Sequence, residues 1–166
     1  MSSSSVLVPP HSSADASFTL KSEVLGSIAV SREVVIDFPN GVYGFPDARS
    51  FALLPTPRDG IYWLQSVDFS ALAFLLVDPF MYFAGRYQID LADTDLRRLG
   101  TSAANDLLVL AIVTMPASPN GAYTANLQAP LLFNLRDRHC YQSIRPDDGF
   151  GTREPFDVET TAERVG

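Results

Sequence analysis

Leu107-Leu-Val-Leu-Ala-Ile-Val-Thr-Met115 is the stretch on which the fold turns. Apart from Thr114 it has no polar break, yet it is far too short to cross a bilayer. A strand with one wet face alternates apolar and polar residues, and this one does not. It therefore predicts a strand buried on both faces, or a barrel strand. Downstream, Pro116–Gly121 holds Pro116, Pro119 and the pair Asn120-Gly121, which together predict a chain reversal. Ala122–Leu135 and His139–Ile144 then read as strands, with Arg136-Asp-Arg138 at the tip between them. Pro130 interrupts the first, which must bend there or turn position 130 outward. Upstream, Ile61–Val67 and Leu72–Val77 read as paired strands joined by Asp68-Phe69-Ser70. Tyr87–Leu91 predicts a further short strand. Val34–Phe38 is β-branched and stops at Pro39-Asn40-Gly41, where Asn40 and Gly41 tolerate positive φ. Phe18–Leu25 alternates Phe18 and Leu20 with Lys21 and Glu23, as a half-buried strand does. Helical signals are few. Asp93–Gly100 offers an Asp or Thr N-cap, Leu96 and Leu99 on one face and a terminal glycine, and Pro46–Ser50 offers one turn with Pro46 at its first position. Many short strands between turn signals predict an all-β chain: a compact, antiparallel β-barrel-like domain with one or two short helices.

The 166 residues suit one domain with a real core, and 46% hydrophobic against 19% charged residues is a globular balance. Residues 1–16 are Ser-rich and aperiodic and read as a disordered tail; residues 17–145 form the expected β domain. From Arg145 onward Asp147, Asp148, Glu154, Asp157, Glu159 and Glu163 outnumber Arg145, Arg153 and Arg164, so 146–166 reads as a flexible acidic tail. Met1-Ser-Ser-Ser-Ser carries no secretory pattern, and a lone cysteine, Cys140, fits a reducing, cytoplasmic setting. The net charge is −7, and Lys21 is the sole lysine. An acidic surface repels phosphate backbones, which argues against direct nucleic-acid binding, and it favours encounter with basic proteins. Solubility alone also accounts for it.

Catalytic and metal constellations are sparse. His11, His139 and Cys140 are too few for a metal site, and His139 and Cys140, as neighbours on a strand, face opposite ways. No glycine-rich loop opens a long helix. No cofactor, metal or catalytic residue is expected. The alternative, a small β-barrel enzyme or ligand-binding protein, needs a deep cavity onto which Asp78, Asp90, Gln65 and His139 converge. The aromatic residues are more informative. They cluster at Phe38, Tyr43, Phe45; at Tyr62, Trp63; at Phe74; and at Phe80, Tyr82, Phe83. Asp78-Pro-Phe-Met-Tyr-Phe83 carries four large side chains beyond a strand end. It either folds back to plug the barrel or forms, as Asp78, Phe80, Met81, Tyr82 and Phe83 with Asp90, a partner-binding patch for a basic, apolar helix. In the second case Phe80→Ala or Tyr82→Ala weakens binding at little cost in stability.

Ile36-Asp-Phe-Pro-Asn-Gly-Val-Tyr-Gly-Phe45, Trp63-Leu-Gln-Ser-Val67, Ala73-Phe-Leu-Leu-Val-Asp-Pro-Phe80, Leu110-Ala-Ile-Val-Thr114 and Thr124-Ala-Asn-Leu-Gln-Ala-Pro130 stand in an order and spacing that resembles the flagellar assembly factor (FliW) family, over about residues 20–145. The ends depart from it. The resemblance implies a small β-barrel-like cytoplasmic protein that binds flagellin. It also implies binding of CsrA, an RNA-binding translational repressor, which relieves repression of flagellin synthesis. It implies no catalytic residue, no cofactor and no membrane association.

Overall fold

The computed structural model describes residues 17–158. A hairpin, β1 (Ser17–Ser22) and β2 (Gly26–Ser31), precedes β3 (Val35–Asp37), β4 (Ser50–Pro55), β5 (Ile61–Ser66) and β6 (Ala73–Val77). A one-turn helix α1 (Pro79–Tyr82) and a two-turn helix α2 (Asp93–Leu99) follow. The chain then forms β7 (Leu107–Thr114), β8 (Tyr123–Ala125), β9 (Leu131–Asn134), β10 (His139–Gln142) and β11 (Glu154–Phe156).

The larger sheet runs β11-β8-β7-β6-β5-β4-β3-β10-β9, and β7 also pairs with β9, so seven strands close into a barrel. β7 divides one edge between two partners. Leu107–Leu110 pair with β9, and Val113 and Thr114 pair with β8. All ladders are antiparallel except β3 with β10, which meet in parallel at Asp37 and His139.

The period of two assigns β7 its faces. Leu108, Leu110 and Ile112 belong to the barrel interior. Val109, Ala111 and Val113 face outward, into a second apolar layer with Ile61, Val77, Tyr82, Phe83, Leu127 and Phe156. Both faces are covered, which is why this strand has no polar alternation. Phe38, Phe51 and Phe133, all fully buried, fill the interior. Phe38 lies 4.8 Å from Phe51 and 6.0 Å from Phe133, centroid to centroid, in tilted and edge-on arrangements. Cys140 shares this core, and burial drives its thiol well above the ordinary range. Two smaller layers coat the barrel. The hairpin places Leu20 and Val30 on Ala52 of β4, and Leu99 of α2 packs on Leu132 and Tyr141.

Several expectations change. Pro46–Ser50 is a turn into β4, not a helical turn, and β2 and β4 are strands the alternation pattern did not announce. Tyr87–Leu91 keeps its alternation, with Tyr87 buried and Ile89 and Leu91 packed inward, but has no strand beside it and is an extended strap. Ala122–Leu135 is two strands. Asn126 accepts the amides of Gln128 and Ala129 at 3.1 Å each, and this turn carries the chain from β8 to β9. Pro130 is buried there, not turned outward. The N-cap of α2 is Ala92, not Asp93 or Thr94, because Asp95 reaches back to the Ala92 amide at 3.0 Å.

The body does not stop at residue 145. Phe156 on β11 is buried against Tyr82, Phe83 and Tyr123, at centroid separations of 5.8, 5.5 and 6.2 Å. The expected flexible tail is therefore part of the sheet through β11; residues 159–166, like the Ser-rich segment 1–16, lie outside the described residues.

Asp95 anchors the junction of α2, β10 and the C-terminal segment. It accepts from the Tyr141 hydroxyl at 2.7 Å and from Arg145 Nη1 at 3.1 Å. Arg145 in turn donates to Asp148 and to the Asp90 carbonyl. Burial opposes ionisation of Asp95, but Tyr141, the Ala92 amide and Arg145 outweigh it and hold the carboxyl below its ordinary value of 3.8. A folded-state value below the unfolded one stabilises the fold above about pH 4, and this contribution is lost as pH falls through the depressed value. Asp95→Asn is expected to cost about 2 kcal/mol at pH 7 and to flatten the acid limb of a stability–pH curve measured by urea unfolding.

Candidate functional site

Strand direction fixes where each loop lies. Because β3 to β6 alternate in direction, the β3–β4 and β5–β6 connections emerge at one end of the barrel, and the β4–β5 turn and α1 at the other.

The predicted patch sits at the second end and is mostly a plug. Asp78 caps α1, accepting the Phe80 amide at 2.8 Å, and burial pushes its carboxyl up against the opposing pull of the Phe80 and Met81 amides. Tyr82 and Phe83 are buried, and the Tyr82 hydroxyl donates to the Asp59 carbonyl at 2.9 Å. Met81 is half-buried against the same layer. Only Phe80 of the four large side chains is exposed, at 47%, and it lies edge-on to Tyr87 at 5.2 Å. Burial pushes the Tyr87 hydroxyl up to about 12. Asp90 is exposed, but its carbonyl is held by Arg145. Tyr82→Ala therefore removes core, contrary to the sequence expectation, and Phe80 remains as a surface aromatic.

Nor do Asp78, Asp90, Gln65 and His139 converge. Gln65 pairs with Ala73 and Ile61 with Val77, so Gln65 and Asp78 occupy opposite ends of the β5–β6 hairpin. His139 lies across the barrel, between β3 and β9. Phenylalanine rings fill the interior that a carrier would need empty.

The first end carries an open groove. A groove of about 430 Å³ is lined by Gly44, Phe45, Pro46, Asp47 and Ala48 on one side and by Phe69, Ala71 and Leu72 on the other. Phe45 is 44% and Phe69 48% exposed, and Tyr43 beside them is 81% exposed. The first wall is a tight reversal. The Phe45 amide donates to the Val42 carbonyl at 2.6 Å, and Val42 is buried while Tyr43 projects. The Tyr43 amide donates to Gln142 Oε1 at 2.8 Å, which ties the reversal to β10. Gly41 enters it at φ 68°, and a Cβ there would lie 2.5 Å from the Phe45 carbonyl oxygen. Phe45 itself leans edge-on against Phe74, 5.7 Å away.

The second wall is held by Gln65, which is fully buried. Its Nε2 faces the carbonyls of Ser66, Phe69, Ser70 and Leu72 at 3.0 to 3.4 Å. The Ser66 hydroxyl accepts the Phe69 amide at 2.9 Å. Phe69 thus stands exposed on a braced turn, not on a loose loop. Gln65 is thus a brace for this wall, not a ligand of an internal cavity. The Tyr43–Phe45 cluster was visible in the sequence, but only strand direction brings it beside Phe69.

The described residues thus form a filled seven-strand barrel with an open aromatic groove at one end. The model of the family described as FliW protein matches residues 19–156, and the chain belongs to this family. It is 34% identical over 144 residues to the flagellar assembly factor FliW of Treponema denticola, covering 86% of this chain and 96% of that one. It is 40% identical over 124 residues to that of Symbiobacterium thermophilum, covering 74% and 88%. A crystal structure of the flagellar assembly factor FliW superposes with a TM-score of 0.75 at 32% identity, covering 83% of this chain and 96% of that chain. No helix among the described residues is long and apolar enough to cross a membrane.

Proposed function

We propose that this chain binds flagellin in the cytoplasm and also binds the translational repressor CsrA, so that free flagellin and repressor draw on one pool of the factor. When flagellin is exported, the released factor takes up repressor and flagellin synthesis resumes. The action is binding alone, without a catalytic step. The observation that carries this reading is the family match across the whole described barrel. The net charge of −7 supports the repressor half, because a protein that grips RNA presents a basic face. Titration of purified flagellin and purified repressor onto this protein, separately and together, tests it. Each is expected to bind, and association is expected to weaken from 50 to about 500 mM salt as charge steering is screened. Folded protein that binds neither overturns the reading.

A further inference from the structure

We propose that the groove between Phe45 and Phe69 is the seat for an apolar segment of monomeric flagellin flanked by Lys or Arg; this rests on the functional reading above and adds the surface. Three observations meet here. The groove is apolar and sized for a pair of large side chains, at the small end of the roughly 300–1,000 Å³ of binding pockets. Its walls are built before any partner arrives: Gln65 and Ser66 fix the Phe69 turn, and Gln142 fixes the Tyr43 reversal. Preformed aromatic anchors lose little entropy on binding, which is the character of interface hot spots.

The third observation is charge. Asp47 lines the groove, Asp68 adjoins Phe69, and Glu23 accepts from the Ser70 hydroxyl of the same turn. Arg49, two residues beyond Asp47, carries the opposite charge, and its Nε is tied back to the Pro46 carbonyl at 3.2 Å. An apolar floor with a carboxylate rim selects an apolar segment with cationic flanks. Of the two partners proposed above, flagellin is the one that must offer the apolar segment. A subunit that polymerises carries, while monomeric, apolar surface that its neighbours later cover, whereas a repressor that grips RNA need offer only charge. Phe80, exposed at the opposite end of the barrel and edge-on to Tyr87, does not line this groove and serves as the control.

The test is calorimetric titration of purified monomeric flagellin onto the full chain and its variants, with thermal melts to verify folding. Phe69→Ala is expected to weaken binding at least tenfold. Asp47→Lys is expected to weaken it several-fold at low salt, with the difference shrinking at high salt. Phe80→Ala is expected to stay within twofold of the parent. Should Phe69→Ala fail to fold, Asp47→Lys decides, since its side chain is exposed. Parent-like flagellin affinity in both groove variants overturns the assignment while leaving the functional reading standing. So does selective loss of repressor binding, or a concentration-dependent dimer in sedimentation that Phe69→Ala abolishes, which would make a second copy the occupant. A parent protein that binds no flagellin removes the functional reading itself.

Discussion

Gly41→Ala and Gly41→Val are both expected to destabilise the protein by about 3 kcal/mol or more, and by similar amounts. At most left-handed glycines alanine costs only about 1 kcal/mol, the conformational term alone, while a β-branched residue is a true outlier. Here the first carbon is already the problem. It would stand 2.5 Å from the Phe45 carbonyl oxygen, 2.7 Å from Pro46 Cα and 2.8 Å from the Pro46 carbonyl oxygen. These are backbone atoms, so no side chain can swing aside, and the Val42–Phe45 reversal must open. The same opening removes one wall of the groove. Urea unfolding of both variants, with the flagellin titration repeated on any that fold, measures this; an alanine cost near 1 kcal/mol shows that conformation alone governs the site.

Phe156→Ala is expected to cost about 3 kcal/mol, the lower part of the range for large-to-small changes at buried phenylalanine, and to lower Tm by roughly 6–12 °C for a chain of this size. Phe156 is 9% exposed and touches two elements distant in sequence: α1 through Tyr82 and Phe83, and β8 through Tyr123. Its loss leaves a void in the layer that covers the outward face of β7. A chain ending at Arg145 is expected to melt lower still. It also loses the Tyr87–Phe150 contact, at 5.2 Å, and the Arg145–Asp148 pair. A parent-like melting curve for the shortened chain shows that the segment contributes nothing to the fold.

The C-terminal strand that holds Phe156 has no local signal in the sequence, for a physical reason. The long strand Leu107–Thr114, the β5–β6 hairpin and α2 were legible because each carries its own signal: an unbroken apolar run, paired β-rich stretches around a short turn, and a capped two-turn pattern. β11 was not, because Glu154-Pro-Phe156 is three residues with a proline in the middle, sited in acidic surroundings. Its strand character comes from pairing with β8, not from itself. β4 was hidden likewise: Phe51-Ala-Leu-Leu54 does not alternate because Phe51 faces the interior while Ala52 and Leu54 meet the β1–β2 hairpin. The site followed the same logic. Aromatic richness marks Asp78–Phe83, which is largely a plug, since composition does not distinguish a buried ring from an exposed one. The groove joins residues 44–48 to 69–72 through alternating strand direction, a relation that no local window contains.

The parallel contact of β3 with β10 joins residues about a hundred positions apart. Until His139–Gln142 has left the ribosome, the ring cannot shut, and the interior that Leu110 enters still lacks Cys140. Such high contact order makes for slow folding and a long exposure of sticky intermediates. The yield of such a chain in the cell is expected to respond to translation speed more than to the small stability differences among surface variants.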